Sequence, residues 1–117
     1  MINGMHAILY SQDADATRDA LRQVLGTRSV DAGGGWLIFA LPPAEIAVHP
    51  ADEGAHAELY LMCDDVAATV TALQAKGFEA ARPVSDQGWG LLTAISLPGG
   101  VELGLYQPRH PTALPGP

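Results

Sequence analysis

The chain has a single cysteine, Cys63, so it closes no internal disulfide, and a lone thiol in a strand-like apolar run reads as a small buried hydrophobe. Cations are scarce too. Six Lys and Arg stand against thirteen Asp and Glu, a formal charge of −7, which opposes the phosphate backbone of nucleic acids and anionic membrane surfaces. That acidity suits a cationic or neutral organic ligand, and it equally serves to keep a protein in solution. No apolar run approaches the roughly 20 residues of a membrane span, and the first residues lack the basic-then-apolar layout of a secretory signal. A soluble, cytoplasmic protein is expected. There is no glycine-rich phosphate loop with its lysine, no serine elbow and no cysteine pair at zinc spacing. The run Gly33–Gly35 reads as a turn or bulge.

What the chain does have is a repeat. Its 117 residues, 48% of them apolar, suffice for one compact domain with a real core. Within it, "HAILYSQDADATRDAL" (6–21) returns as "ELYLMCDDVAATVTAL" (58–73), laying Asp13 on Asp65, Thr17 on Thr69, Leu21 on Leu73 and His6 on Glu58. Chance similarity is the competing explanation for any repeat rich in Ala, Leu and Asp. Against it, order, caps, turns and closing prolines recur together: "LPPAEIAVHP" answers "LPGGVELGLYQP", with Glu45 opposite Glu102 and Ala47 opposite Gly104.

Each copy reads as strand, helix, then two or three strands. In the first, "GMHAILYS" alternates as a strand, Asp13 caps a helix over 14–25 closed near Gly26, and "GGGWLIFAL" and "EIAVHP" supply strands. In the second, "AELYLMCD" is a strand and Asp65 caps a helix from Val66 to Lys76 that stops at Gly77. "FEAARPVS", "WGLLTAISL" and "VELGLYQP" follow as strands, with a turn at 98–100. The boundaries are 3–50 for the first module and 56–108 for the second, with a proline-rich tail, 109–117, expected to be extended or disordered.

Tandem strand-helix-strand-strand-strand units, with "GWG" before the penultimate strand and "LPGGVELGLYQP" at the end, resemble the vicinal oxygen chelate superfamily, which includes glyoxalase I, extradiol dioxygenases and the fosfomycin and bleomycin resistance proteins. The resemblance covers about residues 3–108 and is specific for fold, weak for chemistry. It implies an α+β fold of two tandem βαβββ modules, whose curved sheets form a funnel with helices outside. It also implies a small-molecule site inside the funnel and a homodimer. Alternation then places His6, Ile8, Tyr10, Glu45, Ala47, His49, Glu58, Tyr60, Met62, Glu102, Gly104 and Tyr106 on the funnel face, if Leu59, Leu61, Val101, Leu103, Leu105, Ile46 and Val48 face the helices.

In metal-using relatives the ligands come from the first and last strands of each copy. His6 matches the first-strand position, seven residues before Asp13, and Glu58 matches its counterpart, seven before Asp65. The last strands depart from the pattern: Gly104, four residues before Pro108, stands where a carboxylate is expected, and Ala47 is its equivalent. Glu45, Glu102 and His56 lie two residues from family positions and keep the same face, about 7 Å away. A set drawn from His6, Glu58, His56 and one glutamate has the character for Zn, Mn, Fe or Ni. A His6–Glu58 ion pair accounts for the same two residues without a metal.

The expected ligand-binding residues are His6, Tyr10, Trp36, Glu58, Tyr60, Met62, Trp89, Glu102 and Tyr106. Core packing is the alternative for the tyrosines and Met62, and sheet-edge packing for Trp36 and Trp89, which follow glycine at matching places. No role is assigned to "RHP" at 109–111. Two functions remain open. One is a resistance-type protein that binds a small organic molecule without turning it over. The other is a metal-dependent lyase, isomerase or extradiol-type dioxygenase, with the ion polarising paired oxygens or lowering the pKa of a bound water and Glu102 or Glu45 as base.

Overall fold

Two aspartates start the two helices, as the repeat predicts. In the computed structural model, which describes residues 6–45, 47, 50, 54, 57–111 and 113, the Asp13 carboxylate accepts the Ala16 N–H (3.2 Å) and opens α1 (Ala14–Leu25). Asp65 accepts the Ala68 N–H (3.0 Å) and opens α2 (Val66–Ala75). Each bond satisfies one of the N–H groups that a helix start leaves without an internal partner. Gly26 ends α1 at φ 62°, where glycine meets no Cβ penalty, and its N–H returns to the Arg22 carbonyl.

The first half carries one antiparallel hairpin, β1 (Ser29–Asp31) and β2 (Leu37–Phe39), turning through Gly33–Gly35. The second half carries β3 (Tyr60–Met62), β4 (Ser85–Asp86), β5 (Gly90–Leu97) and β6 (Val101–Pro108), ordered β3-β6-β5-β4 across one sheet. β5 and β6 pair antiparallel over their full length, from Gly90↔Pro108 to Leu97↔Val101, around a turn at 98–100. β3 lies parallel to β6, with Tyr60 opposite Gly104 and Met62 opposite Tyr106.

Alternation along β5 and β6 decides where the core sits. Ile95 and Leu97 on one strand, and Val101, Leu103 and Leu105 on the other, are buried with Val66 and Leu73 of α2 and Ala20 of α1. Ile95 and Val66 are fully buried. Cys63 packs at the margin of this cluster, as a small apolar side chain would.

The halves are joined through the turn at 98–100. The Gln12 N–H donates to the Gly99 carbonyl (3.0 Å), the buried Thr17 hydroxyl donates to the Pro98 carbonyl (2.6 Å), and Ser11 Oγ lies 2.6 Å from Thr17 Oγ1. Gly99 is required twice over. Its φ is 87°, and a Cβ there would stand 1.9 Å from Ser11 Oγ.

Three strand expectations need amendment. Residues 6–11 form no strand, and Ile8 and Tyr10 stand 58% and 88% exposed. Of the run expected to close the first module, 45–50, Glu45, Ala47 and Pro50 are described, none of them in a strand, and Ile46, Val48 and His49 lie outside the described residues. "FEAARPVS" shrinks to an isolated bridge, Ala80↔Ile95, before β4, because Pro83 has no N–H to give a ladder. β1, conversely, has no apolar alternation that announces it.

Candidate functional site

The face of the sheet turned away from α2 begins with what β6 does not bury. Between Val101, Leu103 and Leu105 stand Glu102, Gly104 and Tyr106, and parallel pairing brings Tyr60 and Met62 of β3 alongside. Gly104 makes room for a ring: a Cβ there would stand 2.4 Å from Tyr60 Cδ1. Gly90 does the same for Tyr106, whose Cε1 would lie 2.3 Å from an added Cβ. The two tyrosine rings are 6.0 Å apart, and Trp89 meets Tyr106 edge-on at 5.6 Å, both within the range of favourable aromatic pairs. Trp89, Tyr60 and Met62 remain 51%, 37% and 38% exposed, an apolar patch open to solvent.

Acids and one arginine frame these rings. The Tyr60 hydroxyl donates to the Glu58 carboxylate, and Arg82 pairs with Glu102 at 2.5 Å. Arg82 is held in place by its backbone, whose carbonyl accepts the buried Thr93 hydroxyl at 2.7 Å. The hydrogen bond to Glu58 raises the Tyr60 pKa above the usual phenol value, with burial and the Glu58 charge adding to it and Arg82 opposing. The Tyr106 phenol is also pushed up, chiefly by burial and then by the Glu45 charge. Its hydroxyl meets His110 Nε2. Arg109 reaches Asp86 at 2.9 Å, and the Gly88 N–H, first, and Arg109, second, hold the Asp86 carboxyl below its ordinary value.

Of the expected site residues, Glu58, Tyr60, Met62, Trp89, Glu102 and Tyr106 come together on this face. His6 and Trp36 do not join them. They line a cavity of about 350 Å³ on the opposite, helix-facing side, with Leu59, Leu61 and Leu103. Tyr10 points into solvent at 88% exposure. Glu45 accepts the Ala113 N–H (2.8 Å), and His56 and His49 lie outside the described residues. Sequence reasoning missed Arg82, Arg109 and His110. Their only signal was the scarcity of cations, which makes each one opposite a carboxylate worth asking about.

A divalent metal does not fit the described residues of this face. No three His, Cys, Asp or Glu side chains among them converge. Glu102 is engaged by Arg82, and the space beside Gly104, where the sequence resemblance led a carboxylate to be expected, holds the Tyr60 ring.

A family model described as the Glyoxalase/Bleomycin resistance protein/Dioxygenase superfamily matches residues 5–105. Among solved structures, the chain is similar to a protein of unknown function from Agrobacterium tumefaciens str. C58 (19% identity, 91% of this chain and 96% of that one, TM-score 0.58). It is also similar to TioX from Micromonospora sp. ML1 (17% identity, 95% and 100%, TM-score 0.53). A third is a protein from the mobile metagenome of V. Pseudocholerae (16% identity, 92% and 98%, TM-score 0.52). At these identities the likeness concerns the fold. No curated protein sequence matches the chain.

Proposed function

The chain belongs to the glyoxalase/bleomycin resistance protein/dioxygenase superfamily, and on that premise we propose that it binds a small planar organic cation against the aromatic face of its larger sheet without turning it over, in the manner of a resistance-type binding protein. The observation that carries this reading is the grouping of Tyr60, Tyr106 and Trp89, partly exposed, beside the Glu58 carboxylate, with Glu102 paired to Arg82 at the edge of the same face. Aromatic faces attract cations, by about 0.5–2 kcal/mol each depending on desolvation, and flanking acids add charge complementarity. The chain's charge of −7 favours the encounter. A second copy of the chain covering this face would enclose the ligand, which makes a homodimer part of the proposal. No reaction step is assigned to a metal.

The test is fluorescence titration with ethidium, a planar cation, in a Trp36→Phe background that leaves Trp89 as the one tryptophan reporter. Saturable quenching, weakened by Tyr60→Ala and by Glu58→Gln, is expected. Binding that is indifferent to both changes, or turnover of any substrate that depends on a bound metal, sinks the reading. Sedimentation velocity at micromolar concentration checks the dimer; a monomer throughout counts against it.

A further inference from the structure

The cavity between α1 and the β1–β2 hairpin has chemistry opposite to that of the aromatic face. Leu21 and Leu25 of α1, Ile38 and Phe39 of β2, and Leu61 and Leu103 from the helix-facing side of the larger sheet enclose about 350 Å³. That volume lies within the roughly 300–1,000 Å³ of small-molecule pockets.

Its charge is the second observation. Among the described lining residues there is no Asp or Glu, although the chain has thirteen of them against six Lys and Arg. The ionisable side chains that do line it are Arg18 and His6. The Arg18 side chain is only 23% exposed, its guanidinium lies 5.3 Å from the Trp36 ring centroid, and Asp15 takes one of its donors from outside the cavity at 3.1 Å. Stacking and that single bond fix the fork and leave further N–H donors for a second oxyanion.

We propose that this cavity is a separate binding site for an amphiphilic carboxylate of medium chain length, with the alkyl chain among the leucines and the carboxylate on Arg18. Two sites then lie back to back: Tyr60 and Glu102 face the organic-cation site, while their neighbours Leu61 and Leu103 face this one. The cavity stands on its own residues and does not depend on the aromatic face.

Decanoate, decanol and decyltrimethylammonium distinguish the outcomes by calorimetry on the unaltered protein, below their micellar concentrations. Decanoate is expected to bind with unit stoichiometry and more tightly than the cation, and to raise Tm, as a ligand of the native state must. In a Trp89→Phe background it should change Trp36 emission. Arg18→Gln should weaken decanoate by about tenfold or more, the loss of a charge-assisted hydrogen bond, and leave decanol unchanged. With ethidium saturating the aromatic face, equal affinity for the cationic and anionic amphiphiles, or no decanoate binding, overturns the proposal without needing any variant. Ethidium binding reports the aromatic face in the same samples, so failure at one site is read separately from failure at the other.

Discussion

The ring of Tyr60 occupies the space that Gly104 leaves open on the neighbouring strand, with Tyr60 Cδ1 2.4 Å from where a Cβ at 104 would stand. Gly104→Ala is therefore expected to cost about 1–3 kcal/mol, the usual range for overpacking. Tyr60→Ala should recover part of that cost in a double-mutant cycle, and only part, because the Leu59 carbonyl would also lie 3.0 Å from the new carbon. Urea denaturation of the four proteins measures it; additive costs would mean that the ring and the glycine do not depend on each other.

Gly99→Ala should loosen α1 from the larger sheet. The substitution meets a left-handed backbone, worth about 1–2 kcal/mol, and a collision with Ser11 Oγ. Ser11→Gly should recover only part of the cost, because the left-handed backbone remains and the new carbon would still stand 2.8 Å from the Asp13 nitrogen. Faster amide exchange in residues 14–25 than in 66–75 is the expected signature.

Tyrosine titration carries the pH prediction. Native Tyr60 and Tyr106 hold their protons at pH values where the unfolded chain has released them, since both folded pKa values are raised. The stability they contribute is fully present below about pH 10, the unfolded value, and is lost as pH rises through the higher folded values. Phenolate absorbance against pH should show at least two late-titrating tyrosines. Glu58→Ala should bring one of them down; no movement would remove the Glu58 bond as its cause.

Ile95 is fully buried at the centre of the helix-facing core, so Ile95→Ala is expected to cost about 2–5 kcal/mol. Trp89→Ala, at a half-exposed residue in the β4–β5 turn whose ring meets Tyr106 edge-on, should cost less than that, about 0.5–1.5 kcal/mol, while affecting ligand binding. Thermal melts compare the two directly.

Local rules made much of this legible. Asp13 and Asp65 announce their helices because a cap acts on the next few residues, and Val101, Leu103 and Leu105 announce the core face because alternation is fixed by one strand's own geometry. That His6 lies apart from Glu58, lining the cavity beside α1, was not legible for the complementary reason. A strand's period says which residues share a face, but only pairing says what that face meets, and residues 6–11 have no ladder to fix it. The missing carboxylate at Gly104 was visible in the sequence. Its cause was not, because it depends on the register of β3 against β6.

That same register sets an order of assembly. β5 and β6 are joined by a short turn and can zip at once, whereas Tyr60 must find Gly104 across all of α2, β4 and β5. Loop closure of that length is slow compared with a hairpin, so β3 should dock after β5 and β6 have paired. Cys63, immediately after β3 and half-buried once folded, should then react faster with a thiol reagent before β3 docks than after, which makes the protein's single sulfhydryl a natural clock for that step of its own refolding.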